Sequence, residues 1–212
     1  MKPVFAPKPL VLDGRVVRLE PLAARHAPDL FLASQQPEIW RWMPIPMFAA
    51  VSEVEAWIAA AQAGQAAGTD VPFATVRRTD GRAIGSTRFL DIRVPHRAVE
   101  IGWTWLTPTA QRTGINTEAK FLMLCHLFEQ HGAVRVQLKT DELNQQSRKA
   151  IGRLGATFEG ILRNFQTRAH DGYVRNTAMF SITDKEWPAV KRNLEAKMDH
   201  RSTASAVPFR TV

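Results

Sequence analysis

The segment Trp103-Thr104-Trp105-Leu106-Thr107-Pro108-Thr109-Ala110-Gln111-Arg112-Thr113-Gly114-Ile115-Asn116 runs an apolar strand through a short Gln-x-x-Gly turn directly into a helix. Such a turn exposes consecutive backbone N–H groups. The helix start adds its unpaired amides and the positive end of its dipole. Together they make a site for a phosphate-bearing ligand.

Periodicity and punctuation place the other elements. Residues 1–9 hold three prolines and no period, which predicts an irregular N-terminal arm. Residues 15–20 read as a strand after the turn at Asp13-Gly14. Residues 23–34 and 52–66 read as helices, the second capped by Ser52 with Glu55 three positions on. Strands are predicted at 72–78, 82–92, 98–106 and 134–139, with Thr79-Asp80-Gly81 as a hairpin signal. Within 98–106 the alternation is strict, so Val99, Ile101, Trp103 and Trp105 share one face and Glu100, Gly102 and Thr104 the other. The helix at 117–131 aligns Phe121, Leu124, Cys125 and Phe128. A helix at 144–154 ends at Gly155, and strands at 156–163 and 174–182 flank a loop with Asp171-Gly172. A last helix is predicted at 184–198, kinked or restarted near Pro188, with residues 199–212 as a disordered tail. The order β-α-α-β-β-β-α-β-α-β-β describes one mixed α+β domain over 10–198, its sheet mainly antiparallel.

Composition narrows the function classes. A chain of 212 residues buries a substantial core without disulfides, and its only cysteine, Cys125, excludes an intrachain disulfide framework. No apolar run approaches the roughly 20 residues of a membrane span. The start Met1-Lys2-Pro3-Val4-Phe5 has no signal-peptide character. The expectation is a soluble cytoplasmic protein without membrane contact. A net charge of +8 suits an anionic ligand such as a phosphorylated cofactor. Its basic residues are dispersed rather than interleaved with aromatics, which argues against direct nucleic-acid binding. The six histidines show no metal-ligand spacing, so no metal is expected.

Three motifs then fall in a familiar order: Gln111-x-x-Gly114, Asn144-Gln145-Gln146-Ser147, and Arg153-Leu154-Gly155-Ala156-Thr157-Phe158-Glu159-Gly160. Over about residues 10 to 184 the chain resembles the GNAT (Gcn5-related N-acetyltransferase) superfamily, and within it the Rim-type ribosomal-protein N-acetyltransferase branch. The resemblance implies helices on both faces of the sheet, and a fourth and fifth strand that splay apart to admit acetyl-CoA. Transferred by position, the backbone of Thr104, Trp105 and Leu106 would bond the pantetheine arm. The turn at Gln111, with the amides of Arg112, Thr113, Gly114, Ile115, Asn116 and Thr117, would hold the pyrophosphate. Asn144 would bind the far side of the pantetheine, and Ser147 would lie near the thiol.

Acetyl transfer to an amine needs a positioned thioester, an oxyanion donor, a neutral amine and a proton for the departing sulfur. Ser147 is the candidate for the last role, because the Tyr usual in the family seven residues after the helix Asn is Ile151 here. Glu100 is the candidate base, acting through water, or equally a structural acceptor. The further Glu of the Rim-type branch falls at Gln166. Asn116 stands where the family has Gly or Ala, and Glu118 adds a negative charge that Arg112 and Lys120 could offset. Trp40, Trp42, Met43 and Tyr173 are candidates for the acceptor side or for packing. Without a secure base, an α-amine of pKa about 7.7–8.0 is a more accessible acceptor than a lysine near 10.4. The expected activity is acetyl-CoA-dependent acetylation of a protein or peptide N-terminus by direct attack, in a monomer or homodimer. Acetylation of a small-molecule amine, or CoA binding without catalysis, are the alternatives.

Overall fold

The eight strands are β1 (Leu12–Asp13), β2 (Val17–Pro21), β3 (Val71–Arg77), β4 (Ala83–Arg93), β5 (Ala98–Leu106), β6 (Arg135–Asp141), β7 (Thr157–Thr167) and β8 (Val174–Thr183). They form one sheet in the order β1-β2-β3-β4-β5-β6-β8-β7. The helices are α1 (Ala27–Ala33), α2 (Pro37–Trp40), α3 (Val51–Ala66), α4 (Ile115–Cys125), α5 (Gln145–Leu154) and α6 (Trp187–Ala204). The computed structural model describes residues 5–204. The first four residues of the expected arm and 205–212 of the expected tail lie outside the described residues. Residues 199–204, also expected in that tail, instead continue α6, and Pro188 sits in its first turn, where no kink is required.

Helices cover both faces. Leu30, Val54 and Ile58 of α1 and α3 pack on Ala74, Val76, Ala83 and Trp105. On the opposite face Met123, Leu124 and Leu127 meet Phe73, Phe89, Val99 and Ile101, and Ile151 and Leu194 extend that core. The α4 stripe is therefore rotated from the one expected: Phe121 and Cys125 only flank it. A single π-helical turn, His126–Gln130, ends this helix. The start of α3 also moves. Ala50 rather than Ser52 is its cap, and Glu53 reaches back to accept from the Ala49 N–H at 2.8 Å.

The opening in the sheet follows from a short ladder. All other strand pairs are antiparallel, but β5 and β6 run parallel and pair only at Ala98–Arg135, Val99–Val136 and Glu100–Gln137. Beyond Glu100 the strands part. These are the fourth and fifth predicted strands, renumbered because β1 precedes them.

A bulge in β5 overturns the strict alternation. Gly102 faces Arg88 and Trp105 faces Ser86, so Trp103 and Thr104 together oppose the single residue Thr87. Trp103 adopts φ +49, the left-handed region. One extra residue in a strand reverses the facing of everything after it. Val99, Ile101 and Leu106 thus share the α4-side core, while Trp105 joins the α3-side core.

Glu118, in the first turn of α4, is engaged by backbone from the start of the sheet. Its carboxylate accepts the N–H groups of Arg15 (2.9 Å), Val16 (2.7 Å) and Val17 (3.0 Å), pinning the β1–β2 turn to α4. Glu118→Ala leaves these donors unpaired, the Val17 amide in a buried setting. We expect a loss of about 2–3 kcal/mol, which thermal unfolding would report as a fall of roughly 5–10 °C.

Candidate functional site

The gap between β5 and β6 leads to the segment 107–114, where a 3₁₀ turn (Pro108–Ala110) precedes two left-handed residues, Arg112 (φ +62) and Gly114 (φ +106). Gly114 is the N-cap of α4. Left-handed backbone at that cap turns the chain abruptly into the helix and suits glycine. Thr113 donates its hydroxyl to the Ala110 carbonyl at 2.7 Å, tightening the turn. Ile115, Asn116 and Thr117 lie in the first turn of α4, whose leading amides have no partner within the helix. Asn116 is thus helical and carries none of the left-handed geometry.

Gln111 serves the frame of this turn. Its amide donates to the Leu106 carbonyl at 3.1 Å, and its oxygen accepts from Gln146 of α5 at 2.9 Å. That bond joins the two sides of the cleft. Asn144 caps α5, its Oδ1 accepting the Ser147 N–H at 3.0 Å. Both Asn144 and Ser147 are half-buried on the β6 side of the gap. On the β5 side the side chains of Trp105 and Leu106 are buried in opposite cores. Backbone is therefore what β5 offers to the gap.

The α3-side face of the gap is polar. Glu100, 2% exposed, accepts from Lys139 Nζ at 2.8 Å and from Gln137 Nε2 at 3.3 Å, both through Oε2. Its Oε1 borders Gly102, where a Cβ would stand 2.8 Å away. Trp103 and Trp105 were expected opposite Glu100, and the bulge brings Trp105 to its side. Trp103 itself stacks under Arg88 at 4.5 Å. Arg168, in the β7–β8 hairpin, donates to the Arg41 carbonyl at 2.7 Å and lies over Tyr173. The hairpin and the segment after α2 therefore meet on this side. Burial and the nearby charge of Asp141 hold the Tyr173 hydroxyl above its ordinary pKa. Trp40 does not line an open wall: it is buried, bonded to Ser34 and packed against Phe48 and Trp105.

Lys120 is the residue the sequence reading undervalued. Only 3% exposed, it does not face Glu118 but points from α4 to the bulge. Its Nζ donates to Thr87 Oγ1 and Thr104 Oγ1, each at 2.8 Å, and those hydroxyls are 2.9 Å apart. Burial alone lowers its pKa to about 7. The signal was its spacing: Lys120 precedes Met123 and Leu124 by three and four residues, on the buried helix face.

An Acetyltransferase (GNAT) domain model matches residues 17–157, about two thirds of the chain. The chain belongs to the GNAT family. A GCN5-related N-acetyltransferase from Brucella melitensis is 32% identical, with TM-score 0.85, over 92% of this chain and 88% of that one. A protein described as a GNAT-family acetyltransferase from Chromobacterium violaceum ATCC 12472 is 30% identical, with TM-score 0.79, over 86% and 91%. Mycobacterium smegmatis RimJ, solved in complex with CoA-disulfide, shares the fold at 24% identity and TM-score 0.76, over 93% of this chain and 97% of that one. No curated protein matches the sequence.

As a GNAT member the chain is an N-acetyltransferase, and the family uses acetyl-CoA. Among the described residues no group of three or more His, Cys, Asp or Glu side chains could hold a metal ion. Nor is any described helix long and apolar enough to cross a membrane. Cys125 is half-buried, and burial pushes its thiol up to about 11, which removes it as a thiolate nucleophile near neutral pH.

Proposed function

We propose that this GNAT enzyme acetylates the α-amine of a protein or peptide N-terminus, in the manner of the Rim-type branch, by direct attack on acetyl-CoA. The observation that carries the reading is the bulged, unpaired edge of β5 opening onto the Arg112–Gly114 turn. A thioester lying along such an edge finds fixed backbone donors. Its phosphates find the start of α4.

In this reading the backbone of Thr104, Trp105 and Leu106 aligns the pantetheine, and the amides of 112–117 take the pyrophosphate. Gln111 sets the turn, and the Asn144 side chain meets the pantetheine from across the gap. The neutral amine nitrogen attacks the acetyl carbonyl carbon and the C–S bond breaks. One amine proton is lost, and the sulfur gains one, through the Ser147 hydroxyl or water bonded to it. Glu100 receives the amine proton through water, with Lys139 and Gln137 fixing its carboxylate. Glu100 is already engaged by Lys139 and Gln137, and an acceptor that is partly neutral at the start asks little of a base.

A panel of acceptors followed by thiol release tests this. Peptides with free N-termini should turn over at least about tenfold faster in kcat/KM than the same peptides blocked at the N-terminus and bearing a lysine. Faster acetylation of the lysine, or turnover of small amines alone, would overturn the acceptor assignment.

A further inference from the structure

We propose that Lys120 is a positioning residue that sets the β5 bulge, and through it the part of the strand that receives the thioester. The inference rests on the function proposed above and concerns how this chain holds its cleft in shape.

The triangle of Lys120 Nζ, Thr87 Oγ1 and Thr104 Oγ1 ties α4, β4 and β5 together at one point. Thr87 is the single residue facing the two-residue bulge, and Thr104 is one of the two. Both hydroxyls also lie 3.4 Å from the Gly102 carbonyl, at the foot of the bulge. Lys120 therefore contacts both strands of the distortion. On the other face of the sheet the Arg88 guanidinium lies 4.5 Å from the Trp103 ring and 5.6 Å from the Trp57 ring. A non-glycine residue in the left-handed region persists only where its surroundings over-determine it. Here two buried cationic side chains do so, one from each face.

Packing alone does not account for a lysine at this position. An amine in an apolar helix interface with hydroxyls as its partners costs free energy that a methionine would not. Its one return is directional: an ammonium or amine donates along lines that fix two strands, whereas a thioether does not. The same helix begins at Gly114, so Lys120 also couples the height of the phosphate turn to the bulge two turns away.

Four variants test this: Lys120→Met, Thr87→Val, Thr87→Ser and the double variant Lys120→Met/Thr87→Val. The readouts are kcat with acetyl-CoA and a peptide, acetyl-CoA affinity, affinity for adenosine 3′,5′-bisphosphate, and Tm. Lys120→Met and Thr87→Val should each lower kcat by about tenfold or more. Binding of the bisphosphate, which needs only the turn, should change by less than about twofold. Thr87→Ser, which keeps the hydroxyl, should stay within about threefold of wild type, and the double variant should be no worse than the poorer single one. Unchanged kcat in both Lys120→Met and Thr87→Val overturns the inference, as does Thr87→Ser falling as far as Thr87→Val. If Lys120→Met fails to fold, the Thr87 pair decides. Wild-type protein that binds acetyl-CoA without turning it over overturns the proposed function alone, and acetyl-CoA affinity then decides between the variants. Wild-type protein that does not bind acetyl-CoA overturns both.

Discussion

Lys120→Met should be more stable than wild type, and its advantage should shrink as the pH rises. Burial lowers the folded-state pKa of Lys120 from 10.5 to about 7. Between those values the unfolded chain holds the proton and the folded chain does not. Stability of the wild type therefore rises with pH across that window. Below about pH 7 both states are protonated and the full cost of burying the ammonium is present, roughly 5 kcal/mol from the size of the shift. Denaturant titrations of both proteins should show the gap narrowing by about 2–3 kcal/mol between about pH 7.5 and about pH 9.5. A gap that does not change with pH would mean that the amine titrates normally. Combined with a loss of kcat, a gain in stability separates Lys120 from residues that merely support the fold, whose loss lowers both.

Gly114→Val should raise the dissociation constant for acetyl-CoA at least about 100-fold, on the order of 3 kcal/mol. Gly114 sits at φ +106, where a β-branched residue is a steric outlier. The turn would relieve the strain by rotating the amides that the proposed function assigns to the pyrophosphate. Added side-chain bulk would also obstruct the phosphate approach proposed for this turn. Gly114→Ala should fall between the two, since it adds a Cβ without the branch. Calorimetric titration reads both, and near-UV circular dichroism checks that the core is intact. Wild-type affinity in Gly114→Val would remove the turn from the binding site.

The positions of the elements could be read from the chain because the punctuation is strong. Residues 98–106 appear as β5 to the residue, and Gly155 closes α5 at φ +100. The splay was accessible only through resemblance, since no local pattern states where two strands stop pairing. The bulge was not accessible at all. Val99, Ile101, Trp103 and Trp105 alternate without a break, and the extra residue shows only in the register against β4. That register depends on Thr87 and Lys120, which are distant in sequence from the strand they correct. The partners of Glu118 were hidden for a related reason. Its place in the first turn of α4 could be read from the chain, but its partners are the amides of 15–17, brought there by the sheet. Glu100 stood out as a candidate base or a structural acceptor, and its pairing with Lys139 needed β6 alongside.

The three-pair ladder between β5 and β6 has a consequence for how the molecule assembles. On one side of it, β1 to β5 are sheet neighbours in chain order; on the other, β6, β8 and β7 form a second antiparallel group. The longest closures inside the groups, β2–β3 over 52–60 residues and β6–β8 over 36–48, return five and seven ladder pairs, whereas joining the groups closes 37 residues for only three. Stopped-flow refolding should show the two antiparallel groups forming first and docking afterwards. The cleft is then the suture between two folding units, and it gains its native shape last.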